Sequence, residues 1–440
     1  GRACDHGSLL RDAGAPYFEL YRFRRQARGF GIWVEAGPPL ETRRLVPEVA
    51  EPLMGVLARW RRSILFADGT VARSHGEESS FMTTKTVDDI VKRVASRVIE
   101  EHQVHGGYTL DLTLSAMLEW GEVTGDREYH DYVFSIIDER GWNSDTLIPY
   151  ETQPFCHINY TLYQISEDGA FGEAFVKESR RFFEEVPRSE DGLVLLRDKN
   201  VPRNNVIIDF MQDYASRMAQ TAGITGEELF YRECVEQFRL HRNVLRDPET
   251  GLWSTGRGWI DADPRENSPG RWSRGHGWLL RGLVESLSAL PADSAYAAEL
   301  QGYLNEVADA LLEVQDDKGM WHQLLGRPYD RSYPDTSGTG LIAYYLCKAT
   351  AEGHLDDERY RVSALLASRG LSANVAEDGS VQHVCPGPGP LRSEEDYFDN
   401  PGETEHHSGH GTMAVLFACT GVRRVLNPRP PERGPRRPGW

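Results

Sequence analysis

The apolar positions of the chain fall into helical stripes separated by turns that resemble one another. Leu280, Leu283, Val284 and Leu287 keep an i, i+3, i+4, i+7 spacing, which puts all four side chains on one face of a helix. Each helix-like stretch ends in a polar or glycine-containing turn, and an aromatic opens the next. The turns read EVTGDREY, SEDGAFGEAF, GITGEELFY, LPADSAY and GHLDDERY, with Tyr129, Phe175, Tyr231, Tyr296 and Tyr360 as their aromatics. An interval of roughly 45–65 residues made of paired helices marks an array of helical hairpins. Five turns plus the segment before the first predict six hairpins, enough to close an all-α (α/α)6 barrel. An open helical solenoid used for binding is the competing architecture. The long, dissimilar loops between hairpins, rich in Trp, His and Asp, favour the barrel of an enzyme.

The two ends lack this pattern. Residues 1–80 predict an irregular N-terminal extension and a first helix packed on the barrel, with the barrel itself over 81–425. Residues 426–440 close the chain as a tail. The last eighteen residues, RRVLNPRPPERGPRRPGW, carry five prolines and six arginines, a composition that cannot form a buried face.

Charge and cysteine content narrow the function. With 67 acidic and 49 basic residues the formal net charge is −18, which argues against a nucleic-acid partner. A uronate substrate is not excluded, because a few arginines can make one pocket positive on an acidic protein. Cys4, Cys156, Cys234, Cys347, Cys385 and Cys419 show no CxxC spacing and read as reduced thiols. No apolar run approaches the roughly 18 residues of a membrane span, so no membrane partner is expected. The opening GRACDHGSLLRDAG has no secretory apolar stretch, which tips the expectation toward the cytoplasm over the periplasm or secretion. The chain begins at Gly1 rather than Met, so a removed leader stays open and the compartment is unassigned.

Four segments look like inner-helix starts, where a ring of hairpins gathers its polar and aromatic residues. In NNVIIDFMQDYASRMAQ, Asp209 and Asp213 are four apart and predict a shared helix face. A carboxylate directly after Val206, Ile207 and Ile208 sits against apolar surface, which raises its pKa and suits a general acid. The plainer alternatives are a helix-dipole aspartate at 209 and an i, i+4 pair of Asp213 with Arg217. In RWSRGHGWLLRGLVESL, Trp272, Arg274, His276 and Trp278 crowd around Gly275 and Gly277, which is costly unless the backbone must approach something closely. Trp rings stack on sugars, and an Arg fork matches a carboxylate; a core Trp pair with a capping Arg is the bland reading. His157 opens the stretch HINYTLYQI beside Cys156, though adjacent side chains diverge on a helix and make no dyad. The fourth group is SYPDTSGTG with ETEHHSGHGTMAVLF. His406, His407 and His410 lack an HExxH register, and the Gly-rich run reads as a tight entry into a last inner helix, so no metal is expected.

Taken together, these segments resemble glycoside hydrolase family 105, the unsaturated rhamnogalacturonyl hydrolases, and the related family 88, the unsaturated glucuronyl hydrolases. The likeness spans roughly residues 85–425. WSRGHGW (272–278) is similar to the family's WARGNGW, and IIDFM (207–211) to its WIDxxFM segment, which carries the catalytic aspartate, here Asp209. HINYTLYQISED, YPDTSGTGLIAYYL, DGSVQHVCPGPGP and HGTMAVLFA resemble its remaining segments. The chain departs at Ile207 (Trp in the family), Cys156 (commonly Asp), Thr255 (where His is expected after GLWS) and His276 (Asn).

The resemblance implies that a terminal uronate with a C4=C5 double bond is protonated at C4 and hydrated at C5. The hemiketal then collapses and releases the rest of the oligosaccharide. Asp209 would serve as acid and base, Arg274 would hold the uronate carboxylate, and Trp272 and Trp278 would form the sugar platform. His276, His157 and His410 would complete the substrate contacts, and no cofactor would be needed. A two-carboxylate exo-glycosidase such as a β-glucuronidase is the alternative, with Asp213, Asp111 or Asp335 as second carboxylate. A non-catalytic sugar-binding protein is the alternative of another class.

Overall fold

In this computed structural model the described residues are 22–24, 33–36, 41–44, 64–65 and 71–72, then 83–102, 108–139, 157–166, 169–195, 205–258, 263, 265–327, 330–387, 389–399 and 409–427. Cys4, Cys156, His406, His407 and almost all of the C-terminal tail lie outside them. The chain divides into two units, residues 1–83 and 84–440. In the first, β1 (Arg22–Arg24), β2 (Trp33–Ala36) and β3 (Glu41–Arg44) form an antiparallel sheet, and β4 (Ile64–Leu65) pairs with β5 (Val71–Ala72). The sequence pattern predicted an irregular extension and a first helix over residues 1–80; the described elements there are strands, and the first described helix begins at Thr84.

The second unit is a ring of helical hairpins. Its helices are α1 (Thr84–Glu101), α2 (Tyr108–Thr124), α3 (Glu128–Glu139), α4 (His157–Ser166), α5 (Gly169–Glu185), α6 (Ser216–Thr225), α7 (Glu228–Leu245), α8 (Ser273–Ala289), α9 (Ala295–Glu313), α10 (Thr336–Ala351), α11 (Glu358–Ser372), α12 (Glu394–Phe398) and α13 (His410–Leu426). The helices alternate between two kinds. In α1 only Val87, Ile90, Val91, Val94 and Ala95 are buried, a single stripe that faces inward. In α10 every residue from Thr336 to Ala349 is buried, as in a helix surrounded by others. Thus α2, α4, α6, α8, α10 and α13 form the inner ring. The last of these, α13, packs on the first, α2, and so closes it. The outer helix α1 packs on α13, so the sixth hairpin joins the two ends of the barrel sequence.

The recurring turns connect inner to outer helices. Tyr129, Tyr231, Tyr296 and Tyr360 stand in the first turns of α3, α7, α9 and α11, and Phe175 lies further into α5. The longer connections run from outer to inner helices.

The glycines of the WSRGHGW segment serve this packing. A Cβ on Gly277 would stand 2.6 Å from Leu341 Cβ of α10, and one on Gly275 would stand 2.8 Å from Ile208 Cγ2. The close approach expected of them is to neighbouring chain, which lets inner helices touch at van der Waals density.

Candidate active site

The segment before the third inner helix is held across the chain. β6 (Val206–Ile207) pairs antiparallel with β7 (Gly256–Arg257), and Ile208 N–H donates to Thr255 C=O at 3.0 Å. Thr255 is itself fixed, its N–H and Oγ1 both donating to Gly270 C=O at 2.9 Å. Asp209 follows this ladder and precedes a π turn over Met211–Ala215. The carboxylate is therefore on the lead-in, with Asp213 one turn further on as the spacing predicted. Asp209 C=O accepts from the N–H groups of Gln212 and Asp213 at 3.0 and 3.1 Å, which locks the turn.

Asp209 keeps some exposed surface, yet its Oδ1 is sealed from water with no hydrogen-bond partner. Val206 and Ile208 are fully buried beside it in sequence. Burial pushes its pKa up to about 7, and the Arg274 charge opposes the rise. A carboxylic acid that holds its proton near neutrality can act as general acid. Asp213 is buried, with the Gln212 amide donating to its Oδ1. Burial first and the Asp209 charge second raise its pKa, against Arg217 and Arg281.

Arg274 stands opposite on α8. Its guanidinium stacks on the Trp272 ring at 4.4 Å, and Nη1 donates to Ser337 Oγ at 2.8 Å and to Cys385 C=O at 2.5 Å. Nε is buried without a partner, and Nη2 faces Gly387, where a Cβ would stand 2.6 Å away. Gly387 has φ +88°, so the backbone also favours glycine there. The charge of Arg274 acts on Asp209, Tyr108, Asp335, Cys385 and His410, which puts it at the centre of the rim.

Tyr108 opens α2 and His410 opens α13. The Tyr108 hydroxyl meets His410 Nε2 at 2.5 Å, and the rings cross edge to face at 5.5 Å. His410 Nδ1 is buried with no partner, and burial, then Arg274, holds its pKa well below the ordinary histidine value. The ring is accordingly neutral near pH 7. Asp111, also in the first turn of α2, is buried. His157 opens α4 as the sequence predicted.

Several sequence-derived roles change in this geometry. Trp272 and Trp278 are only 4% and 2% exposed, so neither offers an open face as a sugar platform. Trp272 is covered by Arg274 and donates Nε1–H to Cys385 Sγ at 3.3 Å, and Trp278 lies edge-on to Tyr108 at 6.5 Å. His276 is fully buried with both ring nitrogens engaged. Nδ1 donates to Trp272 C=O at 2.8 Å, and Nε2 accepts from Trp253 N–H at 2.9 Å. That arrangement fixes one neutral tautomer, and burial holds the pKa down at about 4. His276 supports the rim and has no nitrogen left for a substrate. Asp335 caps α10, its two oxygens saturated by surrounding donors, and so cannot be the second carboxylate. Among the described residues no group of three or more His, Cys, Asp or Glu is placed to hold a metal ion.

Tyr108, Gln212, Ser337 and Cys385 were not singled out from sequence. Tyr108 and Ser337 do stand at inner-helix starts, the one signal that could have found them. Cys385 belongs to an irregular loop, where no periodicity marks it.

A closed (α/α)6 ring thus carries at one rim an elevated-pKa carboxyl beside a buried Arg, a setting for acid chemistry. The chain belongs to Glycosyl Hydrolase Family 88, whose profile matches residues 82–426. It is a glycoside hydrolase, as the resemblance implied.

Among curated relatives, an unsaturated rhamnogalacturonyl hydrolase of Bacillus subtilis is 22% identical over 338 residues, 76% of this chain and 94% of the relative. An unsaturated 3S-rhamnoglycuronyl hydrolase of an Alteromonas species is 25% identical over 69% of this chain and 74% of its own length. A solved structure from Salmonella enterica described as a possible family 105 member superposes with TM-score 0.66 at 21% identity, covering 80% of this chain and 97% of that one. The unsaturated glucuronyl hydrolase of a Bacillus species superposes with TM-score 0.58 at 14% identity, over 79% and 97% of the two chains. These structures share the six-hairpin toroid.

Proposed function

We propose that this enzyme removes a terminal 4,5-unsaturated uronic acid from oligosaccharides, with Asp209 as the proton donor. The observation that carries the reading is the unpartnered Oδ1 of Asp209, in a carboxyl held up to about 7 by burial and set beside Arg274. An enol ether needs a proton at C4, and an acid that is still half protonated near neutrality can deliver it. The carboxylate so formed then draws a proton from the water that adds at C5. Collapse of the resulting hemiketal frees the remaining sugar, and the acid is restored. Arg274 supplies the positive charge at the floor of the rim that a uronate carboxylate needs. The names of the curated relatives, each an unsaturated uronyl-type hydrolase, support the same substrate class.

The test is an activity screen on oligosaccharides freshly cut by polysaccharide lyases, following loss of the ultraviolet absorbance of the conjugated double bond. Saturated uronides are run beside them. Turnover of the unsaturated ends alone is the expected result. Release of saturated uronic acid, with the double-bond substrates untouched, would instead indicate a two-carboxylate exo-glycosidase.

A further inference from the structure

Asp335 receives more hydrogen bonds than a helix cap requires. Its Oδ1 accepts from Ser337 N–H at 3.0 Å, Ser337 Oγ at 2.8 Å and Cys385 N–H at 3.1 Å. Its Oδ2 accepts from Gly338 N–H at 3.0 Å and Ser273 Oγ at 2.8 Å. Two of these five donors, the N–H groups of Ser337 and Gly338, are ordinary capping contacts. The other three come from the start of α8, the Ser337 side chain and the loop at Cys385.

Those three share one neighbour. Ser337 Oγ accepts from Arg274 Nη1, so the hydroxyl links the guanidinium to Asp335 directly. Cys385 accepts from the same Nη1 through its carbonyl while its N–H is held by Asp335. Ser273 precedes Arg274 in the chain and is tied down by Asp335 Oδ2. Three separate routes thus run from one carboxylate to one guanidinium, in a site from which water is excluded: Asp335 and Ser337 are fully buried and Arg274 is 1% exposed. Charge-assisted hydrogen bonds of this kind are short, directional and stronger than neutral ones.

We propose that Asp335 is the positioning residue of this active site, fixing Arg274 against Asp209 by way of Ser273, Ser337 and Cys385. The inference rests on the reading of Arg274 and Asp209 given above. Asp335 touches no reacting atom in this scheme. It acts by removing the freedom of a cation whose charge reaches the acid, so that no reorganisation is needed when charge develops on substrate.

A simple helix cap and a positioning residue answer differently to substitution. Asn and Ser cap helices about as well as Asp, so D335N and D335S preserve the start of α10 under either view. Neither can accept from all five donors. With unsaturated uronyl oligosaccharide as substrate, D335N should lose roughly tenfold to a hundredfold in kcat/KM, the cost of a reacting group displaced by a fraction of an ångström to one ångström. Ser337→Ala removes a single hydroxyl of the linkage and should show a smaller loss in the same direction.

The discriminating readout is a double-mutant cycle with Arg274→Lys. If Asp335 acts through Arg274, the loss caused by D335N largely disappears in the Arg274→Lys background. Additive losses, or a D335N enzyme as active as wild type, would overturn the proposal. A crystal structure of D335N gives an answer that does not depend on turnover. The expected finding is an Arg274 guanidinium released from Cys385 C=O, and an unmoved guanidinium contradicts the inference even if the substrate class proves different.

Discussion

At the base of the inner ring, Lys348 of α10 donates to Glu285 of α8 at 2.6 Å and lies 3.9 Å from Glu352. Glu352 accepts from Ser288, while Glu119 of α2 accepts from Tyr344 and from Arg424 of α13, the latter at 3.1 Å. At the opposite rim Asp209 Oδ1, Arg274 Nε and His410 Nδ1 are buried with no partner at all. Both regions carry charge away from water, but at the base Lys348, Glu285 and Glu119 are matched to partners. A buried polar atom left unmatched costs about 1–3 kcal/mol, so a cluster of them persists where a ligand is meant to complete it. The base holds four inner helices in register, and the rim holds its chemistry ready.

The comparison is broken most severely at the base. Lys348→Met leaves Glu285 buried without its cation, and should lower unfolding stability by about 3–5 kcal/mol in chemical denaturation. Changing Glu285 to Gln in the same chain should recover much of that loss, because the stranded charge is gone. The pH dependence of kcat should be the same in both variants as in wild type. A changed pH profile would mean that the base also sets the acid at the rim.

At the rim, the largest binding effect falls on Arg274. Arg274→Ala should cost about 2–4 kcal/mol in transition-state binding of uronides, since a charged partner is left unmatched. Arg274→Lys should already be harmful, because a compact ammonium cannot reproduce the planar fork. Neutral sugars of the same shape should hardly respond. The measurement is kcat/KM on a uronide and on its neutral analogue for wild type and both variants. Equal losses on the two substrates would reduce Arg274 to a scaffold for the loop at Cys385.

A smaller effect concerns stability. Asp209 titrates near 7 when folded, well above the roughly 3.9 of an unfolded aspartate. The folded state therefore holds its proton to higher pH than the unfolded state, and stability falls as pH rises from about 4 through 7 and stays reduced above. Asp209→Asn has no such loss. It should be more stable than wild type at pH 8 by on the order of 1–3 kcal/mol, and no more stable at pH 4. Thermal unfolding at the two pH values checks this, and a pH-independent difference would show that Asp209 is not strained by burial.

How far the sequence could be read follows the range of each interaction. The stripe through Leu280, Leu283, Val284 and Leu287 and the aromatics after each short turn are local signals, and they predict the ring. Asp209 was legible for the same reason, as a carboxylate set directly after three apolar residues. Its π turn was not, because the strand that holds the segment, β7, lies some fifty residues further on. The Tyr108–His410 contact joins residues 302 apart, and Asp335 takes a donor from Cys385, fifty residues away. No periodicity announces such pairs. The Trp and His residues of WSRGHGW mark a special segment in the sequence. Composition alone, however, cannot separate residues that touch a sugar from those that hold the residue beside it.

The central claim is that Asp209 supplies the proton, and the direct measurement is the rate of Asp209→Asn on an unsaturated uronyl oligosaccharide, with binding measured in parallel. The amide keeps the shape and removes the titrating group, so kcat should fall at least about 10²-fold while the substrate still binds. The wild-type rate should decline above about pH 7, where the acid loses its proton. An Asn variant that retains nearly full activity would contradict the account and leave Asp209 a structural carboxyl.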